Sequence, residues 1–215
     1  MNKFISVEEA VAMIKDGDTI MVGGFLGVGT PLRLIDALAA SGRKNLTLIS
    51  NDTAYPDKGV GKLITNKQIS KLYVSHIGTN QNTMDQINAG ELKVEFCPQG
   101  TLAERIRCGG AGLGGVLTAT GLGTVVAEGK QVINVDGKDY LLEKPLRADF
   151  ALIGASKGDK DGNLIYRGTS QNFNPMMAMA ADFVIAEVEE IVEVGQLDPD
   201  EVCTPGVCVD MVVKL

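Results

Sequence analysis

Four glycines fall within seven residues, Gly23, Gly24, Gly27 and Gly29, where a short apolar run, Thr19-Ile20-Met21-Val22, gives way to a helix-compatible segment opening on Thr30 and Pro31. No other feature restricts the fold as much. A short apolar run bounded by glycines reads as a buried strand, and a strand passing through a glycine loop into a helix is the unit of α/β architecture. Without Cβ atoms the loop backbone can turn sharply. The residues alone leave two uses of that freedom open. One is a tight turn that lets the helix pack on the sheet; the other brings backbone N–H groups up to an oxyanion, phosphate or thioester. The spacing is not G-x-x-x-x-G-K-[ST] and no lysine follows, which excludes a nucleotide-triphosphate loop.

The same alternation continues along the chain. Ser6 with Glu9 forms a capping box, Val7, Val11 and Ile14 share a helical face, and Gly17 follows, which predicts a first helix over residues 7–16. Thr30 as N-cap and Pro31 as first residue predict a second helix running to residue 40. Further short strands are expected at 46–49, 72–77, 92–96, 150–153 and 183–186, mostly separated by helix-compatible segments. The series implies an open, mainly parallel α/β sheet with flanking helices. Between 132–135 and 138–142, Asp136-Gly137 signals a type I′ turn, so a β-hairpin is added at an edge or over a sheet end. No internal repeat, low-complexity tract or Pro/Ser-rich linker interrupts the chain, and residues 1–215 are read as a single domain. Ligands of open parallel sheets bind outside the carboxyl ends of the strands. Those ends carry Gly23-Gly24-Phe25, Ser50-Asn51-Asp52, His76-Ile77-Gly78-Thr79-Asn80 and Pro98-Gln99-Gly100-Thr101, and together they suggest one shared cleft.

Several function classes drop out. With 20 Lys plus Arg against 27 Asp plus Glu the formal charge is −7, and ten aromatics include no Trp, a poor basis for nucleic-acid binding. Glu8 and Glu9 interrupt any signal peptide near the start, so the cytoplasm is the expected compartment. The uncharged stretch 108–127 is 20 residues long, but seven glycines and three threonines argue against a membrane span. Cys97, Cys108, Cys203 and Cys208 form no C-x-x-C pair and read as reduced thiols. Gly110-Ala111-Gly112-Leu113-Gly114-Gly115 matches G-x-G-x-x-G, yet residues 101–107 before it look helical, the wrong context for a dinucleotide fingerprint. His76 is the only histidine, which excludes a multi-histidine metal site; its strand-end position suits a polar cleft wall, and it reads as a hydrogen-bonded, partly buried residue. Arg105 and Arg107 read as solvated or ion-paired, and Glu189, Glu190, Glu193, Asp198, Asp200 and Glu201 as a solvated face or helix.

Asp16-Gly17, Ile20-Met21-Val22, Gly23-Gly24-Phe25, Gly29 and Pro31, at their spacing here, resemble the alpha-subunit signature of the 3-oxoacid coenzyme A-transferases. The resemblance continues through Ser50-Asn51-Asp52, residues 98–107, the glycine run, residues 145–149, Asn172-Phe173-Asn174-Pro175 and Thr204-Pro205-Gly206, and so covers nearly the whole chain. Within that family, Asn51-Asp52-Thr53 and residues 112–117 look most like bacterial acetate or butyrate/acetoacetate CoA-transferase alpha subunits.

The resemblance implies the CoA-transferase fold and a transfer of coenzyme A between two acids. It implies that a glutamate on a beta subunit attacks the thioester, giving an acyl-glutamyl anhydride and then a glutamyl-CoA thioester. That glutamate belongs to a Ser-Glu-Asn-Gly type motif, which is missing here; Glu193-Val194-Gly195 matches only a loose Glu-x-Gly. By position Asn51 resembles a family asparagine whose amide stabilises the oxyanion, while Gly23, Gly24, Phe25, Gly27, Gly29 and Gln99 would line the substrate cleft. No metal and no cofactor are expected, the coenzyme A thioester being a substrate. The implied partners are a beta subunit, in an assembly of two alpha and two beta chains, an acyl-CoA and short-chain carboxylates, with neither nucleic acid nor membrane. A partner-free binding or sensing domain of related fold is the alternative; an isomerase would need an acid and base of its own.

Overall fold

The computed structural model describes residues 3–215. Ser6 and Glu9 form the expected reciprocal capping box on α1 (Val7–Ala12), which stops four residues short of expectation. It ends there because the N–H of Met13 and of Ile14 turn back to the carbonyls three residues earlier, and the N–H of Lys15 goes instead to the Asp18 carboxylate. β1 (Thr19–Val22) and β2 (Leu46–Ile49) lie as expected. Between them α2 (Leu32–Ser41) begins one residue late, with Pro31 rather than Thr30 in the cap position. Its first free N–H groups, on Arg33 and Leu34, are taken by the buried carboxylate of Glu187, at 3.3 and 2.8 Å.

After α3 (Gly61–Thr65), β3 occupies Ile69–Val74, three residues upstream of the expected 72–77. Ser75 and His76 fall outside the strand because both of their N–H groups converge on the Asn51 carbonyl, which ends the ladder. α4 (Gln81–Asn88), β4 (Lys93–Phe96) and α5 (Gln99–Gly110) follow. β5 (Val116–Thr118) emerges from the glycine run, which no apolar periodicity marked. β6 (Val132–Val135) and β7 (Lys138–Glu143) form the expected hairpin, with φ of 51° at Asp136 and 80° at Gly137, and β5 pairs with β7 to make a separate three-stranded antiparallel sheet.

β8 (Ala148–Asp159) and β10 (Ala181–Val192) each run twelve residues, three times the expected length. Their polar distal halves hid them; they are strands because they pair with each other out to Val192 and Asp159, and the short β9 (Leu164–Ile165) adds to β8. Of the distal acidic residues, Glu189 and Glu190 sit on β10 and Glu193 just beyond it, with Glu190 paired to Lys157 and Glu193 to Lys160, while Asp198 caps a short 3-10 helix that carries Asp200 and Glu201. α6 (Asn174–Met179) and β11 (Met211–Lys214) complete the series. The main sheet runs β11-β10-β8-β1-β2-β3-β4, parallel at every step, with β9 antiparallel on β8.

Side chains alternate across this sheet. Ile20, Val22 and Leu152 join the core beneath α1 and α2, whereas Met21, Ala151 and Ile153 join the core with Leu102 and Ile106 of α5 and Met177 of α6. Helices therefore cover both faces, and the carboxyl ends of β1, β2, β3 and β4 open onto one side.

Candidate active site

The glycine loop leaves β1 as a miniature hairpin. Phe25 and Val28 exchange both backbone hydrogen bonds, at 3.0 and 2.9 Å, and the tip residues Leu26 and Gly27 take φ of 47° and 90°. Left-handed backbone suits glycine but costs an ordinary L-residue roughly 1–2 kcal/mol, so Leu26 must be held. The base of the loop is buckled from far along the chain. Asn172 Oδ1 accepts from Gly24 N–H at 3.1 Å and its Nδ2 donates to Val28 O at 3.0 Å. Asn174, fully buried, donates to Gly29 O at 3.0 Å and accepts from Gly154 N–H at 3.0 Å. A Cβ on Gly23 would lie 1.8 Å from Asn174 Oδ1, and one on Gly24, whose φ is 123°, would lie 1.9 Å from Thr30 Oγ1.

Asn51 sits just past β2 and is 1% exposed. Its Oδ1 accepts from Gln99 Nε2 at 2.8 Å and Ser75 Oγ at 2.9 Å, while its Nδ2 donates to Asp52 Oδ2 at 2.9 Å. Gln99 opens α5, so the ends of β2 and β3 and the start of α5 meet at one amide. An asparagine amide has two N–H donors, and only one of them is engaged by these contacts. Asn51, Asp52, Ser75, Gln99, Phe25, Leu26 and His76 line a cleft of about 350 Å³. His76 is exposed there rather than partly buried.

Of the residues singled out from sequence, Asn51, Phe25 and Gln99 share this cleft. Gly23 and Gly24 form the packed base of the loop. Gly27 and Gly29 border a second cavity of about 260 Å³ behind it, with Gly154, Ser156 and Glu187. Ser75, Asp52, Asn172 and Asn174 are the residues that sequence reasoning gave no role. The asparagine pair stood within the Asn-Phe-Asn-Pro stretch, which offered a signal without a mechanism.

A larger space of about 830 Å³ lies beside β4, beneath the antiparallel sheet. Size usually nominates a site, but here chemistry outweighs it. Its charged groups are already paired: Arg105, 5% exposed, holds Glu95 at 2.6 Å and Lys144 O at 2.8 Å, and buried Glu143 holds Lys130 at 2.6 Å. Arg105 also donates to Cys97 Sγ at 3.0 Å, yet burial still pushes the Cys97 thiol up, against the pull of that cation, and leaves it a poor nucleophile. Arg107 pairs with Glu104 on the surface. All four cysteines are free thiols. Gly110 ends α5 and Gly115 leads into β5, helix before and strand after, the reverse of a dinucleotide fingerprint. Glu193 is exposed and paired to Lys160, a solvated carboxylate. Among the described residues no cluster of His, Cys, Asp and Glu is placed to hold a metal ion, and no helix is long and apolar enough to cross a membrane.

An open parallel sheet with amide donors and a buckled glycine loop gathered at its strand ends defines an α/β protein with a small polar cleft at those ends. The coenzyme A transferase family model matches residues 4–215, and the chain belongs to that family. It is 54% identical over 98% of its length to the acetate CoA-transferase subunit alpha of Escherichia coli K12, covering 96% of that protein. It is also 54% identical over 99% of its length to the acetoacetyl-CoA:acetate/butyrate CoA transferase alpha subunit of Clostridium acetobutylicum, covering 98% of it. A solved acyl-CoA transferase of Escherichia coli O157:H7, in thioester complex with CoA, superposes on all of this chain with a TM-score of 0.87 at 24% identity. That likeness is one of fold, and the chain spans only 47% of the solved protein's length.

Proposed function

We propose that the chain is the alpha subunit of a two-chain CoA-transferase. It moves coenzyme A between a short-chain acyl-CoA, of the acetyl, butyryl or acetoacetyl kind, and a short-chain carboxylic acid. The observation that carries this reading is the Asn51 amide, held in one orientation by Gln99, Ser75 and Asp52 on the wall of the cleft. The nucleophile comes from outside the chain: Glu193 is solvated and lies away from the cleft, and Asp52, the acid that lines it, is committed to three N–H donors.

On this reading the partner's glutamate carboxylate attacks the thioester carbonyl, and charge collects on the carbonyl oxygen as the tetrahedral intermediate forms. The uncommitted N–H of Asn51 donates to that oxygen. A prealigned donor of this kind contributes ~10²–10³ in rate, since it is fixed before the charge appears. Phe25 and Gln99 wall the acyl side, and the loop from Gly23 to Gly29 keeps its backbone close to the thioester. No metal or cofactor is needed, because coenzyme A itself is the group transferred. The assembly is two alpha and two beta chains working in the cytoplasm on soluble substrates, with no part for nucleic acid or membrane.

Mixing is the test. The chain alone is expected to be inactive, and CoA transfer should appear when it is co-expressed with the beta chain and the complex is isolated by size exclusion. A fully active isolated chain would overturn this reading, and ligand binding with no activity on mixing would favour a sensing domain.

A further inference from the structure

The Asp52 carboxylate is 5% exposed and accepts three N–H groups: Leu26 at 2.9 Å and Asn51 Nδ2 at 2.9 Å on one oxygen, Ala54 at 2.8 Å on the other. Two of those donors belong to non-glycine residues in left-handed backbone, Leu26 and Ala54, each with φ of 47°. Strain of that kind persists only where neighbours over-determine it. One carboxylate therefore pins the tip of the glycine loop to the turn after β2.

The third donor carries the larger consequence. Every other member of the polar chain is reversible: Ser75 can rotate its hydroxyl, and the amides of Gln99 and Asn51 can each exchange oxygen for nitrogen. A carboxylate only accepts. With Asp52 at its end, the chain is polarised one way: Asn51 Nδ2 donates to Asp52 and Asn51 Oδ1 accepts from Gln99, while the single Ser75 hydroxyl proton is shared between the Asn51 backbone carbonyl at 2.7 Å and Asn51 Oδ1 at 2.9 Å. The reverse orientation would set the Asn51 oxygen against the Asp52 carboxylate.

We infer that Asp52 is the positioning residue of the site, fixing the donor face of Asn51 and the tip of the glycine loop through one side chain. The inference rests on the proposed transferase reading for its kinetic consequence, and on the hydrogen-bond chain alone for its structural one. Asp52→Asn is the informative variant, since it keeps the shape and supplies an N–H where only acceptors fit.

In the two-chain complex we expect Asp52→Asn to lower kcat by about tenfold or more, with KM for the acyl-CoA changed less than about threefold, because orientation matters most at the transition state. The variant will also lose stability, so it is repeated on an Ala54→Gly background, where the strained turn no longer needs holding. The thermal midpoint should recover there while the kcat deficit, measured against Ala54→Gly alone, persists. Recovery of kcat together with the midpoint would make Asp52 a structural tether and overturn the inference, as would an unchanged kcat in Asp52→Asn. A second readout does not depend on turnover: with selective asparagine ¹⁵N labelling, the Asn51 side-chain amide pair, assigned by its loss in Asn51→Ala, should shift on Asp52→Asn. If the wild-type complex transfers no CoA, the transferase reading fails and this signal still decides the positioning role; an unmoved signal rejects it.

Discussion

The network around Asn51 and the cluster around Arg105 both bury polar side chains next to a cavity, and they differ in what they leave unspent. Around Arg105 every charge meets its opposite: Glu143, with a side chain 1% exposed, lies between Lys130 at 2.6 Å and Arg105 at 3.8 Å, and Arg105 also holds Glu95. Around Asn51 two amides and a hydroxyl are anchored on one carboxylate, Asp52, with donor capacity left over. A saturated ionic cluster fixes the antiparallel sheet to α5. An amide network with a spare donor can answer charge that develops on a substrate. Cavity volume points to the first region, and unspent hydrogen-bonding capacity points to the second.

Substitutions can break that contrast. Gly24→Val should do the most damage on the cleft side, because its Cβ would meet Thr30 and φ of 123° is unsuited to valine. Misplacing a reacting group by about 1 Å can cost ~10²-fold, so CoA transfer should fall at least that far while size exclusion still shows the complex. Arg105→Met attacks the other side and leaves Glu143 short of a cation. Stranding a buried charge costs roughly 3–5 kcal/mol; because Lys130 still holds Glu143 and Glu95 is partly exposed, the loss should fall below that range, to be read in urea unfolding, with kcat of the surviving complex expected to hold. Asn51→Ala should move kcat as well. Its kcat is expected to fall at least about tenfold, against a ceiling of ~10²–10³ for a lost oxyanion donor, with KM nearly kept and a stability loss of roughly 1–3 kcal/mol from the buried partners it leaves unpaired; unchanged kcat with a lowered midpoint would reduce Asn51 to a turn former.

The smallest effect concerns Glu187, whose carboxyl is buried against the start of α2. Burial raises its pKa above the usual 4.5, and the two backbone N–H groups only partly oppose this. A raised carboxyl pKa means that the folded state binds the proton more tightly than the unfolded one. Its contribution is thus greatest below about pH 4.5 and is lost as pH rises through the folded value. Thermal midpoints measured from pH 4 to 7 should carry that downward component in the wild type and lack it in Glu187→Gln.

Much of this was legible in the sequence, and the physics explains which part. β1, the capping box of α1 and the Asp136-Gly137 hairpin are set by residues within a few positions of each other, and each stands where it was expected. Asn51, Phe25 and Gln99 fall together because parallel topology brings strand ends together, whatever the side chains do. The illegible features are the long-range ones. Nothing near Leu32 announces that its helix will be capped by Glu187, and nothing near Ala155 shows that β8 continues to Asp159 against β10. The roles of Asn172 and Asn174 were hidden for the same reason, their partners lying across the fold.

Those distant partners also set an order of events. Gly24 is bound by a residue 148 positions later, Gly29 by one 145 later and Leu34 by one 153 later. Contacts that close such long stretches of chain form slowly. As the chain leaves the ribosome, the residues of β1 through β4 emerge well before Asn172 and Asn174, and until then the loop after β1 has no buckle. The cleft is therefore among the last places to acquire its shape, and a chain cut before Asn172 would hold most of the sheet without a working loop. Pulse-labelled hydrogen exchange should find the Gly24 amide protected late, after those within β2 and β3.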